Sequence, residues 1–263
     1  GYPAWLDYCP GAALWDHAPT KAVFAQLRQN SVTVPGPEVD RLAQVAESLG
    51  VTVVMGVNER VETGIGSGTL YNTLLTIGPN GQLLNHHRKL VPTYTERLIW
   101  GPGDGAGLKA VETEAGRIGG LVCWEHWMPL ARQTLHGASE QIHVAVWPGV
   151  KEMHQVASRH YAFEGRCFVL AAGLIMAAKE IPSQLELPPE LAKNPDQLIL
   201  NGGSAIIAPD GRYLAGPVFD EETIITAELD LTEIEMERMT LDTTGHYYRP
   251  DVFDFSVNPR RVS

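Results

Sequence analysis

The stretch best suited to chemistry is IGGLVCWEHW, residues 118–127, where a cysteine follows an apolar run. The run predicts a buried strand over residues 117–123, and the residues after it predict a tight turn and then a helix from about Pro129 to Leu135. A side chain at such a turn lies at the edge of a sheet, where the backbone amides of Trp124 and its neighbours could stabilise a thiolate and an oxyanion. Cys123 is therefore a candidate nucleophile for acyl-transfer chemistry.

Two other interpretations of Cys123 stay open on this local pattern. Free cysteine is often a buried, space-filling residue, and that interpretation is favoured for Cys167, which lies in an apolar run. Cys123 and His126 could instead ligate a metal with other histidines, although no His-x-x-x-His or Cys-x-x-Cys pair accompanies them. The chain has 3 cysteines, an odd number without disulfide-like spacing, which favours a reducing and so a cytoplasmic location.

A reactive thiolate also needs a nearby cation, and the candidate is Lys89 in HHRKLVPTYTER, residues 86–97. A lysine after a strand is usually a solvated charge. Here it is followed by a proline and a threonine that restrain the loop, then by Glu96, and then by Trp100 before a glycine-rich turn. This context makes Lys89 more than a surface charge.

The elements that must position these residues alternate between strands and helices. Strands are predicted at 51–57, 70–77, 83–89, 109–113, 117–123, 141–149 and 168–176, and helices at 37–49, 129–135 and 152–167. With hairpins around Asn80 and Pro209, the pattern predicts one layered α/β domain over residues 1–263 with mixed rather than purely parallel strands. Residues 180–197, rich in proline and polar groups, are expected to form a surface excursion with little core.

Composition limits the partners. The chain carries 31 acidic and 20 basic residues, a formal net charge of -11, so its surface should repel nucleic acid. No apolar run approaches the ~18 residues that a membrane-spanning helix needs. We therefore expect neither nucleic acid nor a membrane as a partner.

Longer motifs carry a family resemblance. The blocks are RKLVPTYTERLIWGPGDG, CWEHWMPLAR, EQIHVAVWPG, SRHYAFEGRCFVLAAG and GHYYRPDVF. With them the chain resembles the nitrilase branch of the carbon-nitrogen hydrolase superfamily over nearly its whole length. The resemblance implies an α-β-β-α sandwich that dimerises into four layers and extends in some relatives into spirals or filaments, with no metal and no organic cofactor. It implies hydrolysis of a small organic nitrile to the carboxylic acid and ammonia.

The resemblance also assigns roles. Cys123 would attack the substrate, Lys89 would stabilise the tetrahedral intermediate, and Glu96 would support Lys89. The family's general base is a glutamate that would fall just before Gly1, together with a first strand and helix. We therefore expect the natural protein to be longer than these 263 residues.

The resemblance extends to the substrate pocket and leaves alternatives. Tyr2, Trp100 and Trp124 match positions that commonly line the pocket, and His126, Trp147 and Pro148 are further candidates; for Trp147 a core position is equally well supported. Aromatic side chains there suit an apolar nitrile. An amidase or carbamoylase of the same superfamily and a non-catalytic assembly protein remain the alternatives.

Overall fold

The computed structural model describes residues 2–261, which form two compact units. One unit comprises residues 2–104 and 176–200, and the other comprises residues 105–175 and 201–261. In chain order the helices are α1 (Trp5–Tyr8), α2 (Ala18–Gln29), α3 (Pro37–Leu49), α4 (Pro129–Gly137), α5 (Glu152–Gly165), α6 (Pro189–Lys193) and α7 (Thr232–Arg238). The strands are β1 (Val53–Arg60), β2 (Leu70–Ile77), β3 (Leu83–Arg88), β4 (Val111–Thr113), β5 (Gly116–Val122), β6 (Ile142–Trp147), β7 (Phe168–Gly173), β8 (Ile175–Ala177), β9 (Leu198–Ile207) and β10 (Tyr213–Phe219).

The first unit contains an antiparallel sheet in the order β1-β2-β3. Helix α3 begins with Pro37 in its first turn and ends at Gly50, whose left-handed φ of 61° suits glycine, so the predicted helix is confirmed. Its buried residues Val39 and Ala46 pack with Leu75 and Ile77 of β2. Full burial of an aliphatic side chain contributes roughly 1.5–3 kcal/mol, so this contact holds α3 against the strands.

Residues 180–197 contribute more core than the sequence predicts. Ile181 and Leu185 lie in an apolar cluster of the first unit with Trp5, Trp100 and Cys9. The expectation of a surface excursion with little core is therefore wrong for this part of the segment. Prolines and polar residues dominate its composition, but its few apolar side chains point to one place and are buried together.

The second unit contains a mixed sheet in the order β10-β9-β7-β6-β5-β4. Strands β5, β6 and β7 are parallel, whereas β4, β9 and β10 pair antiparallel to their neighbours, which confirms the predicted mixture. The register pairs Val122 of β5 with Val146 of β6. The next residues along the chain, Cys123 after the end of β5 and Trp147 at the end of β6, therefore lie at the same carboxyl edge of the sheet.

The predicted strand over residues 168–176 is divided into β7 and β8, with Leu174 between them. The backbone approaches closely at this point, because a Cβ on Gly173 would lie 2.3 Å from the carbonyl oxygen of Gly202. The Gly202 amide donates to the Leu174 carbonyl at 2.9 Å. This contact lies at the break between the two strands. Among residues 2–261, no helix is long and apolar enough to cross a membrane.

Candidate active site

Cys123 lies at a strained turn directly after strand β5. Its φ is 55°, in the left-handed region, and it begins a 3-10 helix over Cys123–Trp127. This conformation costs a non-glycine residue about 1–2 kcal/mol, so surrounding contacts must enforce it. One of them is the Glu125 carboxylate, which accepts a hydrogen bond from the Val122 amide at 2.7 Å. The turn predicted at the end of this strand is confirmed, and the strand ends one residue earlier than predicted.

Cys123 is buried, with 4% of its surface exposed, whereas Trp124 is 53% exposed. The Trp124 ring meets the Trp127 ring edge-on at 5.8 Å between centroids. Trp127 in turn contacts Trp147, with 5.6 Å between their centroids. An aromatic surface thus begins at the cysteine and continues along the carboxyl edge of the sheet.

His126 is buried and fully engaged within the protein. Its Nδ1 donates to the carbonyl oxygen of Cys123 at 2.7 Å, because a carbonyl only accepts, and its Nε2 lies 2.9 Å from Nε2 of His143. Its ring stacks on Trp147 with 4.5 Å between centroids. The sequence placed His126 in the substrate pocket, but its two nitrogens are used inside the second unit. The geometry supports a structural part for His126 instead.

Trp147 is buried, and Pro148 follows it at the end of β6. The Trp147 ring lies against those of His126, Trp127 and His154. Within residues 2–261, its buried Nε1 has no hydrogen-bond partner. Leaving a buried donor without an acceptor lowers the stability of the fold by roughly 1–3 kcal/mol. A bound water or ligand that accepts from this N–H would recover that free energy.

Lys89 and Glu96 form a buried ion pair in the first unit. The Lys89 Nζ donates to Glu96 Oε2 at 2.5 Å and to Thr93 Oγ1 at 3.0 Å. The same Glu96 oxygen accepts the Thr93 amide at 2.7 Å, which completes a capping box around the 3-10 helix Tyr94–Leu98. The structure thus brings together the two residues that the sequence suggested for one site.

The glycine-rich turn after Trp100 supports the loop that carries Lys89. The Gly103 amide donates to the Lys89 carbonyl at 2.8 Å. A Cβ on Gly103 would lie 2.1 Å from the carbonyl oxygen of Arg88, so only glycine fits there. Trp100 is buried and donates from Nε1 to Asn58 Oδ1 at 2.9 Å. Tyr2, a second predicted pocket residue, meets the Trp100 ring at 6.4 Å between centroids.

A second charge cluster spans the three strands of the first unit and includes Arg88, the residue before Lys89. Glu59 of β1 accepts hydrogen bonds from Thr73 Oγ1 at 2.7 Å and from Arg88, and lies 2.7 Å from His86 Nε2. Burial acts to raise the pKa of Glu59, but the hydrogen bonds from His86 and Arg88 outweigh it and lower the pKa to about 2. Glu59 therefore holds the end of β3 as a carboxylate.

The sequence did not predict the buried residues behind the cysteine turn. His143 of β6 donates from Nδ1 to Glu140 Oε2 at 3.0 Å, and the Tyr161 hydroxyl donates to Glu140 Oε1. The available signal was a histidine inside the apolar strand IHVAVW, preceded by a lone glutamate. Such residues are rarely buried without partners, so the pattern indicates a polar network.

The donor sets do not favour a metal centre. Among residues 2–261, no group of three His, Cys, Asp or Glu side chains could hold a metal ion. His126 and His143 face each other through their Nε2 atoms at 2.9 Å. This spacing fits a hydrogen bond and leaves no room for an ion between the two rings.

Comparisons with known proteins identify relatives over nearly the whole chain. A family model described as carbon-nitrogen hydrolase matches residues 5–238. A bifunctional nitrilase/nitrile hydratase of Lupinus angustifolius is 40% identical over 265 residues, covering 98% of this chain and 73% of the relative. An aliphatic nitrilase of Sinorhizobium fredii is 40% identical over 235 residues, covering 89% of this chain and 74% of the relative.

Solved structures share the fold. A carbon-nitrogen hydrolase from Helicobacter pylori superposes with a TM-score of 0.65 at 21% identity, covering 82% of this chain and 74% of the other. A superfamily member from Xanthomonas campestris, which carries an arsenic adduct in its active site, superposes with a TM-score of 0.65 at 20% identity and covers 89% of this chain and 81% of its own. The α/β fold class expected from the sequence is confirmed.

Proposed function

The chain belongs to the carbon-nitrogen hydrolase family, and from this premise we propose that it is a nitrilase, which converts a small organic nitrile and water into a carboxylic acid and ammonia. Its relatives at 40% identity are named for activity on nitriles. The structural observation that carries the proposal is the strained, buried turn that presents Cys123 at the carboxyl edge of the sheet. Neither an amidase nor an assembly protein is favoured by a specific observation.

The proposed reaction begins with addition of the Cys123 thiolate to the nitrile carbon. The C–N triple bond becomes a double bond, and the negative charge on nitrogen is met by Lys89 and by the Trp124 amide before a proton is taken up. Water adds to the thioimidate and ammonia leaves, which gives a thioester. A second water then releases the acid and regenerates the thiol. Each water must lose a proton to a general base.

Glu96 has a supporting role in this proposal. A buried ammonium group without a counter-charge is costly, and the Glu96 carboxylate supplies that counter-charge, with 2.5 Å between Oε2 and Lys89 Nζ. Because Thr93 also contacts Lys89 Nζ, the ammonium is held from two sides. The charge is thereby oriented before the substrate arrives, which is the condition for stabilising a transition state without reorganisation.

We assign Tyr2, Trp100, Trp124, Trp147 and Pro148 to the substrate pocket. The unpartnered Nε1–H of Trp147 supports this assignment, because a bound polar group could accept from it. The aromatic character of the set favours an apolar nitrile, arylaliphatic or aliphatic.

Ammonia release from phenylacetonitrile and from a short aliphatic dinitrile tests the proposed activity. The wild-type chain should release ammonia and Cys123→Ala should not, while Cys9→Ala, which removes a thiol from the apolar cluster of the first unit, should retain turnover. The amide should be assayed alongside the acid, since some relatives are named as hydratases too. Turnover of amides but not nitriles would make the protein an amidase, and no turnover of either would contradict an enzymatic role.

The family model spans residues of both compact units, which supports a single catalytic domain over residues 1–263. We also propose a homodimer that acts in a reducing compartment such as the cytoplasm. The buried cysteines Cys9, Cys123 and Cys167 are thiols rather than disulfides, which suits such a compartment. Light scattering after size exclusion measures the assembly; a monomer at micromolar concentration would contradict the dimer.

A further inference from the structure

Four ring nitrogens connect the carbonyl oxygen of Cys123 to the carboxylate of Glu140. The contacts are Cys123 O to His126 Nδ1 at 2.7 Å, His126 Nε2 to His143 Nε2 at 2.9 Å, and His143 Nδ1 to Glu140 Oε2 at 3.0 Å. All four residues are at most 4% exposed. Water therefore does not compete for these contacts, and each hydrogen bond must be completed by a proton of the chain itself.

The three contacts need three ring N–H hydrogens, whereas two neutral imidazole rings carry only two. A peptide carbonyl and a carboxylate only accept, so His126 Nδ1 and His143 Nδ1 must both carry hydrogen. The contact between the two Nε2 atoms at 2.9 Å needs a third hydrogen, because two lone pairs would repel. Neutral imidazoles supply one hydrogen each.

We propose that His126 and His143 together hold one extra proton, paired with the Glu140 carboxylate, and that this charged chain positions the Cys123 carbonyl and with it the nucleophile turn. His126 and His143 are thus positioning residues, acting through the backbone of Cys123. The structural part of the proposal stands by itself, and its kinetic consequence rests on the proposed nitrilase function.

The surroundings of Glu140 favour its ionised form. Tyr161 donates its hydroxyl to Oε1, and His136 Nδ1 lies 3.3 Å from the same oxygen. Burial acts to raise the pKa of Glu140, but His143 and His136 outweigh it and lower the pKa to about 2. A Cβ on Gly119 would lie 2.2 Å from Oε2, so glycine at this position leaves room for the carboxylate.

The two rings of the pair differ in their surroundings. Burial and the neighbouring His143 hold the pKa of His126 well below its ordinary value. His143 is the ring next to the carboxylate, and Tyr161 stacks on it with 3.7 Å between centroids. The charged pair of the two histidines and Glu140 therefore lies behind the cysteine turn. The His126 ring connects this pair to the turn through its hydrogen bond to the Cys123 carbonyl.

A second charged connection holds the other end of the turn. Arg132 of α4 donates to the His126 carbonyl at 3.0 Å and to Glu164 of α5 at 2.6 Å. His136 lies 3.4 Å from Glu164, and the exposed His160 lies 3.9 Å from it. The two carbonyls of the turn, those of Cys123 and His126, are therefore both fixed by donors that are anchored on carboxylates, the buried Glu140 and the half-buried Glu164. Such fixation is what a strained φ of 55° at Cys123 requires.

Nitrogen NMR of protein labelled with ¹⁵N-histidine counts the ring protons directly and needs no substrate. At neutral pH the wild type should show three exchange-protected ring N–H groups on His126 and His143, identified by through-bond correlations within each ring. In Glu140→Gln the new amide can donate to His143 Nδ1 while its oxygen accepts from Tyr161, so the chain closes with one proton fewer. The count should fall from three to two.

The alternative arrangement places the third proton on Glu140 itself. In that case the wild type would already show two ring N–H groups, and Glu140→Gln would leave the count unchanged. Either observation would contradict the proposal. His160→Gln is the matched control, since this exposed histidine lies outside the chain of hydrogen bonds and its loss should leave the three protons in place.

The kinetic arm uses His126→Phe, which keeps a ring against Trp147 but removes the donor to Cys123. We expect kcat to fall about 100-fold with KM changed less than about twofold, since misplacing a reacting group by ~1 Å costs about that much. Alkylation of Cys123 by iodoacetamide should slow as well, and this readout does not depend on the natural substrate. Unchanged alkylation in a folded variant would overturn the positioning role, whereas absence of nitrile turnover in the wild type would count only against the proposed function.

Discussion

Lys89 and Glu96 are seven positions apart and meet at 2.5 Å between Nζ and Oε2, while the same carboxylate oxygen caps the Thr93 amide at 2.7 Å. One oxygen therefore both neutralises the buried ammonium and fixes the turn that connects the two residues. Both side chains are at most 4% exposed. A change at either residue should affect the charge of the site and the conformation of its loop together.

Glu96→Gln separates these two effects. The amide oxygen can still accept from the Thr93 amide, so the loop should keep its shape, but the counter-charge of Lys89 is lost. We expect kcat for nitrile hydrolysis to fall at least ~100-fold, the usual magnitude for losing one electrostatic element of a site. Glu190→Gln, an exposed residue of α6, is the control. A wild-type rate in Glu96→Gln would reduce Glu96 to a structural residue.

Lys89→Arg keeps the positive charge but should also inactivate the enzyme. The guanidinium is larger and its charge is spread over a planar group, which does not fit between Thr93 and Glu96 as a compact ammonium does. Steady-state kinetics should show a loss of kcat of about 100-fold or more, with the exposed Lys193→Arg as control. Activity retained within about threefold would remove Lys89 from the proposed mechanism.

Glu59 should make stability depend on pH in the acid range. Its pKa is lowered from 4.5 to about 2, so its contribution is fully present above pH 4.5 and is lost as the pH falls towards 2. Urea unfolding of wild type and Glu59→Gln should differ most near pH 6, where the variant leaves Arg88 without its counter-charge. The difference should shrink towards pH 2. A difference that stays constant from pH 6 to 2 would show that folding does not lower the pKa of Glu59.

Gly119→Ala tests the space around Glu140. An added Cβ would lie 2.2 Å from Glu140 Oε2, so the carboxylate must move or the strand must shift. Overpacking of this kind typically costs about 1–3 kcal/mol of stability. Gly137→Ala, with no atom within 4 Å of the added Cβ, is the matched control and should be neutral or slightly stabilising. Equal unfolding midpoints for the two variants would contradict the close contact.

The sequence alone determined the features that depend on neighbours along the chain. Pro37 and Gly50 delimit α3 as predicted, because proline suits a first helical turn and glycine a left-handed end. The spacing from Thr93 to Glu96 is that of a capping box, and with Lys89 it produces the buried pair. The turn at Cys123 arises in the same way from an apolar strand that stops abruptly.

Tertiary structure decided the rest, because those contacts depend on strand register and on helices packing from a distance. The parallel pairing of β5 with β6 brings His143 to His126, and α5 brings Tyr161 to Glu140. Tertiary packing in the first unit also buries Ile181 and Leu185, which belong to a segment of mostly polar and proline composition. The local sequence pattern does not predict which buried side chains share a proton. The free energy of burying each polar group depends on hydrogen-bond partners that are distant along the chain.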